Sequence, residues 1–440
     1  MRSVFVLVLV ALLATTASAQ WVDTTLTVAA GPWRFCHNSQ NDKVYCACFA
    51  ADTVVVIDGA TNAILTSLAV VGAPHDLCYN PTDNKVYCAN EDSGSITVID
   101  GASNTIITTI KTGQYLWDLC YNPQNDKVYC AAHGADSVFV VDGATNTIIA
   151  RVPAGHEAYY LCYHGASNKV YCANRADHTV TVIDGASNAV VATVPVGVYP
   201  AAFCSNPKEN KVYVANYNDS TVSIIDGASN AVITTVPVGL TPYALCYDSV
   251  DSRVFCVALS VDSMSVIDGA SNAVIATIAV EGRPQACCYC PQHNRVFCAN
   301  EFGPSVSVVD AGALSVLATV TVGANPVAVC YNPQDDKVYT ANADAGTVTI
   351  INASAGIEEG RRLTAHGSRL TATVVRGVLR LADGSSASSS PSCLLDASGR
   401  NVMELASGAN DVSRLSPGIY FVHSTIDNRQ SEVTKVVVSH

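Results

Sequence analysis

One feature limits the folds open to this chain more than any other: a short sequence returns every 42 residues. The motif Val-Ile-Asp-Gly or a close variant supplies one series, with its aspartates at Asp58, Asp100, Asp142, Asp184, Asp226, Asp268 and Asp310. A second series is made of cysteines, at Cys36, Cys78, Cys120, Cys162, Cys204, Cys246, Cys288 and Cys330. A third is aromatic, at Tyr45, Tyr87, Tyr129, Tyr171, Tyr213, Phe255, Phe297 and Tyr339. A chain with such a period folds as an array of like modules, here eight of them.

Each module contains four strand-like runs, which we call A, B, C and D. In the second module they are HDLCYN, KVYCAN, SITVID and TIITTI, all bounded by turn residues. Because the links between them are short, neighbouring strands must be antiparallel. Four short antiparallel strands about every 40 residues are typical of a propeller blade. We therefore predict an all-β chain with an eight-bladed β-propeller over residues 20–356.

The two ends of the repeat region predict how the ring closes. The eighth module has no D run after Asn352, whereas a spare strand-like run at residues 24–28 precedes the first A run. Pairing the two would complete the last blade and remove an open sheet edge. We therefore expect the N-terminal strand to close the last blade.

The repeats resemble a known family. The stretch NPQNDKVYCAAHGADSVFVVDGATNTIIARVPAG, residues 122–155, is similar to the bacterial YVTN β-propeller repeats, relatives of surface-layer and NHL-type propellers. The resemblance implies a propeller fold and says little about function, because one fold serves many functions.

Both flanks of the repeats suggest export. Residues 1–19 join Arg2, an apolar run and the small residues Ala17-Ser18-Ala19, which predicts a secretory signal peptide. Residues 357–392 are interpreted as a linker and the start of a second domain, and 393–440 as the core of a small β-sandwich. The segments LLDASGR, NDVSRLSPGIYFV and KVVV resemble the type A C-terminal sorting domain of type IX secretion. That resemblance implies the secretion machinery as a partner, and a secreted or bacterial cell-surface location.

Composition narrows the classes of partner. The formal net charge of −13 disfavours a nucleic acid or an anionic membrane, since both require a basic face. After the signal peptide no apolar run is long enough for a transmembrane helix. The motifs of common cofactor, nucleotide and zinc sites are missing from the sequence, so we expect neither cofactor nor metal.

The eighteen cysteines allow two interpretations. An exported protein could join the A-strand cysteine to a B-strand cysteine ten residues later, in six of the blades. Alternatively, both positions are packing sites for a small apolar residue. Val214 and Thr340 replace the B-strand cysteine in two blades, which favours packing and predicts mostly free thiols.

A candidate ligand site follows from the turns. The A–B and C–D turns are nearly uniform, whereas the D–A and B–C turns differ between blades, as specific recognition would require. Where the innermost strands begin, aromatic and charged residues crowd into the first four blades. The candidate ligand-binding residues are Trp33, Arg34, His75, Asp76, Trp117, Asp118, Tyr159, Tyr160 and Tyr243. They could bind a glycan, peptide or protein at the channel mouth, or merely pack the loops.

Three functions remain open from sequence. The favoured hypothesis is a non-enzymatic binding or scaffold protein at the cell surface. The first alternative is a lyase- or lactonase-like propeller enzyme that uses Asp76, Asp118, His75 or His156. The second is a purely structural surface-layer component.

Overall fold

The computed structural model describes residues 21–355 and, further on, seven strands between residues 372 and 438. The chain divides into two compact units, Met1–Gly356 and Ile357–His440. None of the helices in the described part is long and apolar enough to span a membrane.

The first unit is a ring of eight four-stranded antiparallel blades. Blades one to four are β2 (Pro32–Asn38), β3 (Lys43–Cys48), β4 (Thr53–Asp58), β5 (Ile64–Ala69); β6 (Pro74–Asn80), β7 (Lys85–Asn90), β8 (Ser95–Asp100), β9 (Thr105–Lys111); β10 (Leu116–Asn122), β11 (Lys127–Ala132), β12 (Ser137–Asp142), β13 (Ile148–Pro153); β14 (Ala158–His164), β15 (Lys169–Asn174), β16 (Thr179–Asp184), β17 (Val190–Pro195). Blades five to eight are β18 (Pro200–Asn206), β19 (Lys211–Asn216), β20 (Thr221–Asp226), β21 (Val232–Pro237); β22 (Pro242–Asp248), β23 (Arg253–Ala258), β24 (Ser263–Asp268), β25 (Val274–Ala279); β26 (Pro284–Cys290), β27 (Arg295–Asn300), β28 (Ser305–Asp310), β29 (Ser315–Thr321); β30 (Pro326–Asn332), β31 (Lys337–Asn342), β32 (Thr347–Asn352), β1 (Val22–Thr27). Single 3₁₀ turns occupy Phe49–Ala51 and His133–Ala135. The prediction of eight blades is confirmed.

Burial explains why the runs do not alternate cleanly in sequence. Strands B and C are buried on both faces, as in β7 (Lys85–Asn90) and β8 (Ser95–Asp100), because a neighbouring blade covers each face. The outer strand D alternates between exposed and half-buried residues, as in β5 (Ile64–Ala69). Apolar side chains of adjacent blades therefore share one core layer, for example Tyr45 and Val56 with Val86.

The N-terminal strand closes the ring, as predicted. β1 pairs antiparallel with β32, from Val22 opposite Ile351 to Thr27 opposite Thr347. The backbone N–H of Asn352 also donates to the carbonyl of Trp21 at 2.8 Å. The innermost strands β2 and β30 are then neighbours, so blade one packs against blade eight.

A repeated set of polar contacts joins each blade to the next at the end of the A–B and C–D turns. The Lys127 Nζ donates to the carbonyls of Gly185 and Ala186 and to Asn188 Oδ1, at 2.9, 2.8 and 3.0 Å. The Tyr129 hydroxyl reaches the same turn, with Asn188 Oδ1 at 2.9 Å. Equivalent lysines or arginines stand in every blade: Lys43, Lys85, Lys127, Lys169, Lys211, Arg253, Arg295 and Lys337.

The Asp-Gly series consists of turn residues rather than of cation ligands. Asp58 Oδ1 accepts hydrogen bonds from the backbone N–H and the hydroxyl of Thr61, at 2.8 and 2.6 Å. Asn62 follows with a φ of 61°, a left-handed conformation that asparagine tolerates. These contacts satisfy the carboxylate locally and lower the pKa of Asp58.

All seventeen cysteines of the described residues are free thiols, as the packing interpretation predicted. The strand register gives the reason. Cys36 stands opposite Tyr45, and Cys46 stands opposite Phe35, so the two cysteines are offset by one residue. Because successive side chains alternate between faces, their sulfurs point toward different neighbouring blades. Burial raises the pKa of such thiols, to about 12 for Cys330, so they remain protonated.

The described residues of the second unit form strands in two antiparallel sheets, as expected of a small sandwich. Its strands are β33 (Ala372–Val375), β34 (Val378–Leu381), β35 (Ser392–Asp396), β36 (Asn401–Leu405), β37 (Gly408–Asp411), β38 (Gly418–Ile426) and β39 (Gln430–Val438). One sheet has the order β33-β34-β37 and the other the order β36-β35-β38-β39.

Candidate functional site

A β-bulge at the start of each A strand builds the channel mouth. In blade one the register shifts between Pro32 and Arg34, and in blade three it shifts between Leu116 and Leu119. Six of the blades begin with a proline, which lacks the N–H needed to continue the ladder. A bulge turns side chains out of their regular alternation, and here it places the irregular residues around the axis.

Four of the predicted residues form an aromatic arc, which we define as Trp33, His75, Trp117 and Tyr159. Their rings follow one another, with centroids 3.8 Å apart for His75 and Trp117 and 4.0 Å for Trp117 and Tyr159. The rings are tilted against one another by 36–37°, and these contacts within the arc take up ring area that a ligand could use. These ring contacts are what the loop-packing interpretation of the four residues predicts.

The arc continues through residues that the sequence interpretation missed. The Arg175 guanidinium lies 3.8 Å from the ring centre of Tyr159 and 4.0 Å from that of Tyr199. A cation between two aromatic faces is held by both ring quadrupoles. Arg175 belongs to a B–C turn and Tyr199 to a D–A turn, both of which vary between blades, but no spacing pattern indicated that they would meet.

His75 is locked in the neutral form. Its Nε2 accepts from the Trp33 indole at 3.3 Å, and its Nδ1 donates to the Trp117 carbonyl at 2.8 Å. Burial and then the charge of Arg34 lower the pKa of His75 to about 3. With both ring nitrogens bonded, His75 has no free atom for acid–base chemistry or metal binding. His156, the other candidate histidine, lies on the surface beside Asp136 at 3.2 Å.

Asp76 and Asp118 form a buried carboxyl pair. Asp76 Oδ2 accepts from the backbone N–H of Leu119 at 2.9 Å, and Asp118 Oδ2 from that of Leu161 at 2.7 Å. Burial raises the pKa of both carboxyls, and the charge of Asp76 raises the pKa of Asp118 further. Arg34 and the hydrogen bond from Asp118 favour the charge on Asp76. The two carboxyls therefore interact with each other, and the charge of Arg34 offsets part of the rise in the pKa of both.

The channel holds a cavity of about 290 Å³ with two different walls. One wall is polar and contains Arg34, Asp118 and Tyr160. The opposite wall is mostly small and apolar, with the alanines Ala202, Ala244, Ala286 and Ala328 at the positions equivalent to Arg34. Tyr243 and Gln285 also line the cavity.

Two buried polar atoms near the cavity lack a hydrogen-bond partner among the described residues. They are Gln285 Oε1 and Trp117 Nε1. Burial raises the pKa of Tyr160, and the nearby Trp117 indole offsets part of that rise, but the indole reaches no acceptor with hydrogen-bond geometry. An unpaired buried donor or acceptor costs free energy that a bound polar group can recover.

The structure thus separates the nine predicted residues by role. Arg34, Asp118, Tyr160 and Tyr243 line the cavity. Asp76 supports Asp118, and the four residues of the aromatic arc pack together at the rim. Gln285 is a cavity residue that the sequence interpretation left out, although it stands at the position equivalent to Trp33.

Comparisons with known proteins support the fold. A family model described as a YNCE-like beta-propeller matches residues 4–191. A search of curated proteins found no match. Among solved structures, Kuenenia stuttgartiensis hydrazine synthase is similar, with a TM-score of 0.53 and 16% identity over 64% of this chain and 96% of that chain. At this identity the similarity concerns the fold alone, and together with the blade geometry it establishes that the chain is a β-propeller protein.

Proposed function

We propose that this is an exported, non-enzymatic binding protein whose propeller channel takes a small polar ligand, such as a sugar unit or a peptide end. The observation that carries the proposal is the two-walled cavity. Arg34, Asp118 and Tyr160 offer donors and acceptors on one side, while alanines leave space on the other. Ligand sites commonly combine an apolar lining with a few convergent polar groups.

The size of the cavity limits what can enter. About 290 Å³ lies at the lower end of small-molecule sites, so a whole glycan or protein could insert only its terminus. The unpaired Gln285 Oε1 requires a donor, and the unpaired Trp117 Nε1 requires an acceptor. A hydroxyl-rich or amide-rich group supplies both.

A plugged channel tests the proposal. Glycan, metabolite and peptide libraries are screened against the whole protein by calorimetry, and the hits are measured with Ala286→Tyr. Tyr160 occupies the equivalent position in blade four, so the fold accepts tyrosine there. We expect the variant to lose binding and to keep its melting temperature. Ser229→Ala, in a uniform C–D turn, is the matched control and should bind normally. Undiminished binding to the plugged channel would refute the channel as the site.

One observation favours an enzyme as a second candidate. Asp76 and Asp118 are two interacting buried carboxyls whose pKa values burial raises, as in many acid–base pairs. Against this, His75 is fully bonded and His156 lies on the surface. Asp118→Asn separates the two functions: an enzyme would lose turnover of a bound hit while still binding it. Under the binding hypothesis, mass spectrometry finds each hit unchanged with either protein.

Export and surface sorting complete the proposed function. The support is the signal-like sequence of residues 1–19 and the sorting-type segments near the C-terminus. These segments overlap β35, β38 and β39, which are neighbours in one sheet. Residues 357–440 fused to a periplasmic reporter should carry it outward in a host with type IX secretion. A fusion lacking Lys435–Val438 is the control, and a reporter that stays in the periplasm would end the sorting proposal.

A further inference from the structure

Three potential metal ligands meet where blade seven joins blade eight. Cys290 ends β26, His293 lies in the following A–B turn, and Asp336 lies in the A–B turn of blade eight. Their Sγ, imidazole nitrogen and carboxylate oxygen all lie within 4.8 Å of one another. His293 Nε2 and Asp336 Oδ2 are 2.6 Å apart. This cluster lies at the opposite end of the A strands from the channel mouth.

The repeat shows what normally occupies this position. The residue equivalent to Cys290 is usually an asparagine whose side-chain amide donates to the next blade. Such bonds run from Asn38 to Asn84, Asn80 to Asp126, Asn122 to Asn168, Asn206 to Ser252 and Asn332 to Asp42. Blade four keeps the link with a histidine, since His164 Nε2 lies 2.7 Å from Asn210 Oδ1. A cysteine has no amide, so blade seven lacks this bond to Asp336.

The position of His293 changes at the same junction. Its equivalents in the other blades are short polar or acidic residues: Asn41, Asp83, Asn125, Ser167, Glu209, Asp251 and Asp335. Two positions three residues apart in blade seven therefore carry side chains that can bind a metal, and both face Asp336 of blade eight. The contact of His293 with Asp336 replaces the missing amide link between the blades, but it does not explain why a cysteine stands at position 290.

We propose that Cys290, His293 and Asp336 bind one zinc-like divalent cation that joins blade seven to blade eight. Thiolate, imidazole and carboxylate are ligands of borderline divalent ions, and three protein ligands leave a fourth tetrahedral position for water. Water can reach that position, since the side chains of His293 and Asp336 are 18% and 24% exposed. Cys290 itself is buried.

The surroundings orient the ligands. The Tyr331 hydroxyl donates to Asp336 Oδ1 at 3.1 Å, which leaves Oδ2 directed at His293. Backbone N–H groups of Gln292 and His293 point at the Cys290 sulfur, as they do at the asparagine oxygen in other blades. Such second contacts fix ligand direction, and their loss typically weakens metal affinity about 10- to 100-fold.

Binding is a simple exchange of a proton for a metal. Cys290 is buried, and a cysteine binds a metal as the thiolate. On binding, the S–H bond breaks, the sulfur electron pair bonds the cation, and the proton leaves to solvent. His293 binds through Nε2 with its proton on Nδ1, and Asp336 binds as the carboxylate. The charges of thiolate and carboxylate then neutralise the dication, and affinity rises with pH.

The test titrates the chelator-treated full chain with Zn²⁺ or Co²⁺ alone. We expect one equivalent to bind, a thiolate-to-cobalt absorption band to appear, and the melting temperature to rise with metal concentration. Cys290→Asn and His293→Asn return blade seven to the residues of other blades, so both should fold. Each should abolish the band and the stabilisation.

Controls separate this site from the other thiols. Cys330→Ala removes a half-buried thiol of the adjacent blade and should leave metal binding unchanged, while Tyr331→Phe should weaken affinity about 10- to 100-fold. If either asparagine variant misfolds, Asp336→Asn replaces it, since asparagine fills that position in four other blades. Binding of less than one equivalent by the parent, or undiminished binding by Cys290→Asn, overturns the proposal.

Discussion

The two ends of the propeller are built from the same eight blades but differ in how those blades contact one another. At the end of the A–B and C–D turns, which we call the uniform end, each blade contacts the next through the same lysine or arginine, joined in four blades by a tyrosine hydroxyl. At the channel mouth, the residue equivalent to Arg34 is an arginine, an aspartate, a tyrosine or an alanine. The first end holds the ring together, and the second is free to vary because its bulged strand starts carry few of those contacts. We expect stability to depend on the first end and ligand binding on the second.

The largest effect should come from removing the strand that closes the ring. Deletion of residues 22–27 exposes the edge of β32 and takes away the D strand of blade eight. We expect the melting temperature to fall by several degrees or more, or the protein to aggregate, because an unpaired strand edge invites association. Calorimetry and light scattering measure the two outcomes. An unchanged melting curve would mean that the contacts at the uniform end close the ring without β1.

The next effect concerns the lysines of the uniform end. Lys127→Ala removes three hydrogen bonds within the ring, and Lys337→Ala removes the equivalent three between blades eight and one. Each should lower the free energy of unfolding by about 1–3 kcal/mol, because acceptors are left without their charged donor. Denaturant melts measure both, with the exposed Lys208→Ala as control. A much larger loss for Lys337 would show that the closing junction is special.

The sequence predicted the features that follow from the repeat. It did not predict those that depend on side-chain contacts between blades. The eight blades, the closing strand and the free cysteines followed from the period and from Val214 and Thr340 in cysteine positions. The mouth residues were found because they break the period. The interactions between these residues were not found from sequence. The bonding of His75 to both Trp33 and Trp117 depends on ring orientations that sequence spacing does not predict. The cluster of Cys290 with Asp336 joins residues 46 apart in sequence, a distance at which no short motif exists.

A smaller effect concerns how the stability contribution of a channel-mouth residue, Asp118, depends on pH. The folded pKa of Asp118 is raised by burial and by Asp76, so folding favours the protonated carboxyl. Its contribution to stability is complete below the unfolded pKa of about 4 and is lost as pH rises through the folded pKa. Asp118→Asn keeps a neutral acceptor for the Leu161 N–H. The variant should therefore melt higher than the parent at pH 7, with the difference vanishing near pH 4.

An aspartate at the uniform end, Asp142, should show the opposite pH dependence of stability. Hydrogen bonds from Thr145 lower the pKa of Asp142, so its contribution is present above the unfolded pKa and is lost as pH falls through the folded value. Asp142→Asn should therefore melt lower than the parent at pH 7, with the difference shrinking in acid. Equal behaviour of the two variants would remove the electrostatic distinction between the ends.

The last comparison concerns one aromatic substitution at each end that removes a polar group. Trp117→Phe keeps a ring between His75 and Tyr159 and removes an indole N–H that has no partner in the described structure. Tyr129→Phe removes a hydroxyl that bonds the Gly185 carbonyl and Asn188 Oδ1, at 3.2 and 2.9 Å.

We expect Tyr129→Phe to lose about 1 kcal/mol of unfolding free energy and to leave ligand affinity unchanged. Phenylalanine stands naturally at that position in two blades, as Phe255 and Phe297, so the variant will fold. Trp117→Phe loses no hydrogen bond, so only the smaller packed ring should cost stability, by about 1 kcal/mol or less, and it should weaken binding of any channel ligand that accepts from the indole. Denaturant melts and titration of the same screening hit measure both quantities. If Trp117→Phe instead destabilises the fold and spares binding, the aromatic arc belongs to the packing of the ring and the ligand enters elsewhere.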